Sequence, residues 1–276
     1  MNIEVPPSCP ACDGSAVAAV ERWVFARGRT AMACQACGFL FTHPRPSAEE
    51  LQQYYGSDGI WQSNHAAKHA AARTRKKRAA PALMSVLDRL FPATRPRPGA
   101  RMLDFGCGTG AWLNAFQDQG WVTYGLEPST DVAFVRHERL TSVPADGRFD
   151  LVLVWHVLEH LPRPVDTLRT LAEAIAPGGH CLVSVPRVDT LAVHRDLEYI
   201  LRPPAHISAY TEACLWGLMS SCGLEPVAAL HELDATFSKG APVRLRLVAQ
   251  KAGPPSVHPS ATAALVPVLE AVKELL

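Results

Sequence analysis

The sequence predicts an α/β protein. A doubly wound, mostly parallel sheet with an antiparallel last strand follows a small, cysteine-built N-terminal module. Three observations predict this. From residue 103 onward, short apolar runs alternate with stretches of helical composition. A glycine-rich turn, Gly106-Cys107-Gly108-Thr109-Gly110, stands between the first run and the first helix. Ahead of both lie two C-x-x-C pairs, Cys9/Cys12 and Cys34/Cys37.

Composition sets the bounds. With 276 residues, 48% hydrophobic and 19% charged, the chain suits one good-sized domain with a small appendage. A net charge of +1 gives no global attraction to nucleic acid, which is not an expected partner. No apolar run reaches the ~18 residues of a membrane span. Residues 1–10 lack the charged-then-apolar shape of a signal peptide. Eight cysteines in such a chain point to a reducing compartment with free or metal-bound thiols, and the cytoplasm is the expected location. The expected organisation is a zinc ribbon over 1–44, a helical cap over 45–95, a catalytic domain over 96–251 and a linker with an amphipathic helix over 252–276.

Taken in order, each C-x-x-C pair is followed closely by a glycine, Gly14 or Gly38. Two residues between thiolates let both sulfurs face one ion, and two such turns supply a tetrahedral four-cysteine zinc site. A redox dithiol would explain one pair but not the matched two. Such a closed site has no open position for catalysis, so the zinc is structural, giving ~40 residues the folding energy that a core of that size cannot. The segment between the pairs supplies a β-hairpin, and 39–41 a further strand ended by His43-Pro44-Arg45-Pro46. Ser47 and Glu50 form a capping-box signature opening a helix that carries Tyr54 and Tyr55, which either line a pocket or pack. The run 73–78, Arg-Thr-Arg-Lys-Lys-Arg, reads as a solvated helix face, with a phosphate-binding patch as the sharper alternative. It merges into a helix whose Leu83, Leu87 and Leu90 share one face, and 92–99 is a proline-rich linker.

Residues 103–105 read as a buried strand, the glycines as a turn needing φ > 0, and 111–119 as a helix ending at Gly120. The spacing is close to that of the dinucleotide fingerprint, with Ala111 at the last glycine's place, so spacing alone does not choose the cofactor. A second strand, 122–127, closes on Glu127, whose carboxylate can accept from both hydroxyls of a ribose. After it the chain is short: 133–139 is one helical turn or the third strand itself, which leaves adenine contacts to weak candidates, Thr141 and Ser142. Residues 149–155 form an apolar fourth strand, and His156-Val-Leu-Glu159-His160 follows it. A helix over 166–176 stops at Pro177-Gly178-Gly179, and 181–186 is the fifth strand. Residues 187–209, with His194, Arg195, Arg202 and His206, make a long, lid-like connection. Then come a helix over 211–222, two strands at 226–231 and 243–249 that pair antiparallel, and a tail helix at 261–276 that needs an apolar partner such as a second subunit.

Asp104 before the glycines, the glycine turn and Glu127 together resemble the class I S-adenosylmethionine (SAM) methyltransferases. The stretch 149–186, with its V-L-E-H and P-G-G segments, is similar to the ubiquinone-pathway O-methylating enzymes. The resemblance implies a class I methyltransferase sheet. It assigns Asp104, Gly106, Cys107, Gly108, Gly110, Glu127 and Trp155 to SAM, and places His156 on the acceptor side. O-methylation needs a general base, for which His156 ranks first and His206 second, with His160 and His194 also near the strand tips. The expected activity is methyl transfer to a small-molecule acceptor in sugar, polysaccharide or natural-product tailoring. The competing readings are an RNA methyltransferase using the ribbon and basic helix, and a non-catalytic SAM-binding or assembly protein.

Overall fold

The structure, a computed structural model, describes residues 5–55, 66–90, 99–128, 138–188, 200–233 and 244–252. The chain opens with an antiparallel hairpin, β1 (Val17–Phe25) and β2 (Arg29–Cys34), and β3 (Leu40–His43) pairs with β2. These strands carry the cysteine turns at one end. Helix α1 (Ala48–Tyr55) starts at the capping box: the Glu50 amide donates to Ser47 Oγ at 3.1 Å and the Ser47 amide to Glu50 Oε2 at 2.9 Å. The longer helix α2 (Ala66–Leu90) runs on through Pro81 and buries Leu83, Met84, Val86 and Leu87. The expected linker at 92–99, apart from Gly99, and the expected tail helix at 261–276 lie outside the described residues.

Next come β4 (Arg101–Phe105), α3 (Ala111–Gln117), β5 (Val122–Leu126) and β6 (Glu138–Arg139). Among the described residues, Glu138 and Arg139, paired with Tyr124 and Gly125, form the third strand, and 129–137 lies outside the described residues. The chain then returns to the other side of β4 with β7 (Phe149–Trp155), α4 (Pro164–Ala174) and β8 (Ile175–Pro186). Here the structure corrects the expected boundaries. Pro177-Gly178-Gly179 does not lie beyond the helix as a stop; it is a bulge inside β8, because Phe149 pairs with Ile175 but Leu151 pairs with His180. Gly179 is required there, since a Cβ would lie 2.8 Å from Ile175 Cγ2 and 2.9 Å from the Phe149 carbonyl.

After β8 come β9 (Ser208–Ala209), α5 (Glu212–Ser221), β10 (Leu224–Ala229) and β11 (Arg244–Lys251). The large sheet has the order β10-β11-β8-β7-β4-β5-β6, with β11 antiparallel to its neighbours. Between β4 and β7 the strand order reverses, and in open α/β sheets ligands bind at that switch point, beyond the carboxyl ends of the strands. The small sheet has the order β1-β2-β3-β9, so its last strand comes from the segment before α5. Among the described residues no helix is long and apolar enough to cross a membrane.

Candidate active site

The glycine turn is built by three left-handed residues, Gly106 (φ 73), Gly108 (φ 56) and Gly110 (φ 74). Gly106 is pressed against the tip of β7: a Cβ there would lie 2.5 Å from Val157 Cγ2. Gly108 differs, for nothing among the described residues lies within 4 Å of where its Cβ would be. That leaves an open cradle at the switch point. The Gly106 and Cys107 amides donate to the Leu126 carbonyl at 2.7 and 3.2 Å, and the Gly108 amide donates to Glu127 Oε2 at 2.9 Å. Glu127 is thus tied directly to the turn. Asp104, 1% exposed at the end of β4, has a buried Oδ2 with no hydrogen-bond partner among the described residues. Burial, helped by Glu127 and opposed by Lys76, raises its carboxyl to about 7. An orphaned buried acceptor beside an open glycine cradle fits a ligand bearing hydrogen-bond donors.

At the tip of β7 the chain turns sharply. His156 has φ 56, a left-handed conformation uncommon for a side-chain-bearing residue, and its amide donates to the Ser184 carbonyl at 2.8 Å. Its Nδ1 lies 2.9 Å from Oε1 of Glu159, which is wholly buried on the 3₁₀ turn Leu158–His160. Both His156 Nε2 and Glu159 Oε2 are buried without hydrogen-bond partners among the described residues. Burial, reinforced by the Arg244 charge, holds His156 well below the usual histidine value, and burial raises Glu159 to about 8. His160 Nδ1 meets the Ala205 carbonyl at 3.0 Å and Tyr55 Oη at 2.7 Å, and its ring sits 4.8 Å from that of His206. Burial and then His206 push His160 down to about 3.

The two cysteine pairs converge as the spacing predicts. Sγ of Cys9 and Cys37 are 3.8 Å apart, and those of Cys12 and Cys34 are 3.7 Å apart. All four sulfurs lie within 4.8 Å of one another. A tetrahedral zinc with Zn–S bonds of about 2.3 Å requires sulfurs about 3.8 Å apart, so the donor set fits that ion. The Ala11 amide points at Cys9 Sγ, 3.4 Å away.

The predicted site residues are therefore distributed unevenly. Asp104, the three glycines, Cys107 and Glu127 surround one turn. Cys107 keeps its thiol in the core, where burial pushes it up. Trp155 is 7% exposed, its ring 4.7 Å from that of Trp112 and covered by the Arg246 guanidinium at 5.5 Å. His156 and His206 are linked through Glu159 and His160; the sequence places His160 behind the other two histidines and gives Glu159 no role. The signal for Glu159 was present, because a carboxylate three residues after a turning histidine can reach back to it. His194 and Arg195 lie outside the described residues, and Thr141 and Ser142 are exposed beside Leu140. A separate depression lined by Met84, Leu87, Trp121, Asp150 and His180 sits at the opposite ends of the strands.

Residues 73–229, more than half of the chain, match the family described as "Methyltransferase domain". The chain belongs to that family, and with this sheet and glycine turn it is a class I SAM-dependent methyltransferase. A ubiquinone biosynthesis O-methyltransferase of Xanthomonas campestris pv. campestris is 32% identical over 125 residues, covering 38% of this chain and 52% of that protein. A tRNA U34 carboxymethyltransferase of Trichlorobacter lovleyi is 27% identical over 173 residues, covering 52% of this chain and 50% of the relative. The chain thus spans about half the length of the curated relatives it matches. Among solved structures, a 1,6-didemethyltoxoflavin-N1-methyltransferase of Burkholderia thailandensis, with bound 1,6-didemethyltoxoflavin and S-adenosylhomocysteine, aligns with a TM-score of 0.55 at 18% identity. That alignment covers 84% of this chain and 98% of the neighbour, and shows a shared fold.

Proposed function

We propose that this methyltransferase methylates a hydroxyl group of a small-molecule acceptor. The observation that carries the reading is His156: it is held left-handed at the tip of β7, directly after the strand that meets the glycine turn, with Nδ1 on Glu159 and Nε2 buried without a partner among the described residues. An imidazole whose Nδ1–H donates to a carboxylate presents its Nε2 lone pair, the arrangement of a general base. Asp104, the Gly106–Gly110 backbone and Glu127 hold the donor. Glu127 would accept from the ribose hydroxyls, and Asp104 Oδ2, buried without a hydrogen-bond partner among the described residues, would accept from the same molecule. SAM held there would supply a methyl activated by its sulfonium, taken by the acceptor oxygen while the C–S electron pair stays with sulfur. His156 takes the hydroxyl proton, and Tyr55, His160 and His206 form the wall facing the acceptor. The four-cysteine cluster holds a structural Zn²⁺, since four thiolates leave no open position.

Calorimetry with S-adenosylhomocysteine tests the donor half. Glu127→Ala is expected to weaken binding by on the order of ten- to a hundredfold, the worth of one or two hydrogen bonds to a charged group. Unchanged affinity in that variant, or none in the zinc-loaded wild type, defeats the reading. The acceptor half is tested by product assays across hydroxylated small molecules and transfer RNA. Turnover confined to RNA would replace the small-molecule acceptor with the RNA reading.

A further inference from the structure

Beside the imidazoles of His160 and His206 stand two side chains that come from distant parts of the chain: Tyr55, the last residue of α1, and Arg202, which lies between β8 and β9. We propose that Arg202 and Tyr55 clamp an anionic oxygen group, a carboxylate or a phosphate, that the acceptor carries next to the hydroxyl to be methylated. That the clamp serves methyl transfer rests on the function proposed above; the anion-binding claim itself does not.

The first observation is how Arg202 is held. Its amide donates to the His206 carbonyl at 3.0 Å, and the His206 amide returns to the Arg202 carbonyl at 3.1 Å, closing a short hairpin over Pro203, Pro204 and Ala205. Two successive prolines fix φ across that loop and stiffen it. Residues that exchange both hydrogen bonds in an antiparallel pair present their side chains on the same side. Arg202 therefore stands beside His206, whose ring is 4.8 Å from that of His160, and its charge bears on both His160 and Tyr55. The guanidinium is exposed and has no hydrogen-bond or ion-pair partner among the described residues, whereas Arg29 pairs with Glu50 and Arg187 with Glu212. A planar fork of donors is matched by the paired oxygens of a carboxylate or a phosphate.

The second is the polarity of the Tyr55 contact. Tyr55 Oη is 2.7 Å from His160 Nδ1, and the same nitrogen lies 3.0 Å from the Ala205 carbonyl. A carbonyl only accepts, so Nδ1 carries the proton and the phenol oxygen accepts a share of it. The phenol hydrogen is left to find another acceptor, and Tyr55 makes no other hydrogen bond among the described residues. Burial, then Tyr54, Glu159 and Glu127, push the phenol up against the pull of Arg202, so it stays a donor at neutral pH.

The third is the charge around the reacting position. After burial, the charges that bear most on His156 are those of Arg244, His206, Arg246 and Lys76. The two acids felt by Tyr55 are both engaged: Glu127 accepts from the Gly108 amide, and Glu159 is wholly buried against His156 Nδ1. A pocket edged by cations attracts an anionic acceptor and repels a cationic one. An anion seated on Arg202 and Tyr55 would hold its neighbouring hydroxyl toward His156, so the clamp would select which molecule is methylated.

The test uses the full zinc-loaded chain in the presence of S-adenosylhomocysteine, titrated in a calorimeter with inorganic phosphate, salicylate and methyl salicylate. Salicylate pairs a hydroxyl with a carboxylate, and its methyl ester keeps the hydroxyl without the charge. At least one anion is expected to bind, with the ester more than about tenfold weaker than the anion that does. Which anion binds more tightly says whether the clamp takes a phosphate or a carboxylate. Arg202→Gln is expected to weaken anion binding more than about tenfold and Tyr55→Phe by about three- to tenfold. Arg202→Lys keeps the charge without the fork, and should restore part of the phosphate affinity but little of that for salicylate. Three outcomes overturn the proposal: no response to either anion up to about 20 mM, a response undiminished in Arg202→Gln, or, where salicylate alone responds, equal binding of its ester. Tyr55→Phe removes a single hydroxyl, and undiminished anion binding there decides against the clamp if Arg202→Gln does not fold. S-adenosylhomocysteine calorimetry on the same samples separates the two claims: donor binding without an anion response sinks only the clamp, and an anion response in protein that binds no donor sinks only the functional reading.

Discussion

A histidine at φ 56 is held there by its surroundings, since the left-handed region is a place where glycine or asparagine is at ease. The hydrogen bond from the His156 amide to the Ser184 carbonyl and the Glu159 carboxyl on Nδ1 together over-determine the turn. Backbone strain held in this way clusters at functional positions, and the orphaned Nε2 says which atom the strain serves. His156→Asn therefore separates backbone from chemistry, because asparagine tolerates the conformation but offers no basic nitrogen. The expected outcome is an unchanged melting temperature and S-adenosylhomocysteine affinity, with kcat lower by on the order of 10² to 10⁴, the range of general-base catalysis. Steady-state kinetics checks it, and an unchanged kcat would leave His156 a turn-forming residue only. Asp104 and Glu127 were legible in the sequence because each stands at a strand end, a place that periodicity locates. The Glu159–His160–His206 cluster was not, because His206 reaches it only through a tertiary contact: the Ile207 amide donates to the Glu159 carbonyl at 3.0 Å.

Among the elements, α1 is the one whose start could be read directly. Ser47 and Glu50 close a capping box three residues apart, a purely local signal. What no local signal disclosed is that Glu50 also binds Arg29 on β2 and Arg27 beside it. The Arg29 hydrogen bond, then the Ser47 amide and then Arg27 lower the Glu50 carboxyl to about 2. A depressed folded-state value means that the contribution is complete above the unfolded carboxyl's range, near 4.5, and is lost as pH falls through 2. The difference in thermal midpoint between wild type and Glu50→Gln should accordingly be constant near neutrality, shrink below about pH 4.5 and vanish near pH 2. A difference that persists undiminished at pH 2 would show that the loss in the variant is not electrostatic. The β8 bulge teaches the converse. Pro177-Gly178-Gly179 reads as a helix stop on its own, and only the pairing of Phe149 with Ile175 and Leu151 with His180 turns it into part of a strand. Likewise the described part of β6 has two residues, too few for a periodic pattern.

In the whole molecule, the ribbon and the catalytic sheet are joined through the candidate site. The paired cysteines announce the ribbon, but not that its sheet ends on a strand from beyond β8. Leu40 and Phe41 pair with Ala209 and Ser208, Arg45 donates to the carbonyls of Ile207 at 2.8 Å and Pro162 at 2.9 Å, and Tyr210 Oη donates to the Leu158 carbonyl at 3.0 Å. Phe39 packs on Tyr210 with ring centroids 5.3 Å apart. Leu158–His160 and Ile207–Tyr210 therefore lean on strands flanked by the four-cysteine cluster, which the proposed zinc would order. A small module of this kind has little core, and in zinc-finger peptides metal binding supplies on the order of 10 kcal/mol of folding free energy. Cys34→Ser in the full chain should then do more than loosen the ribbon. Amide hydrogen exchange is expected to accelerate both across β2 and β3 and at 158–160 and 207–210, while the β4–α3–β5 unit around Glu127 keeps its protection. S-adenosylhomocysteine affinity should change little, and acceptor turnover should fall steeply. Accelerated exchange confined to 9–43 would mean that the ribbon is an independent appendage; spread to the far turns, it would mean that the structural metal shapes the acceptor side of the site through β9.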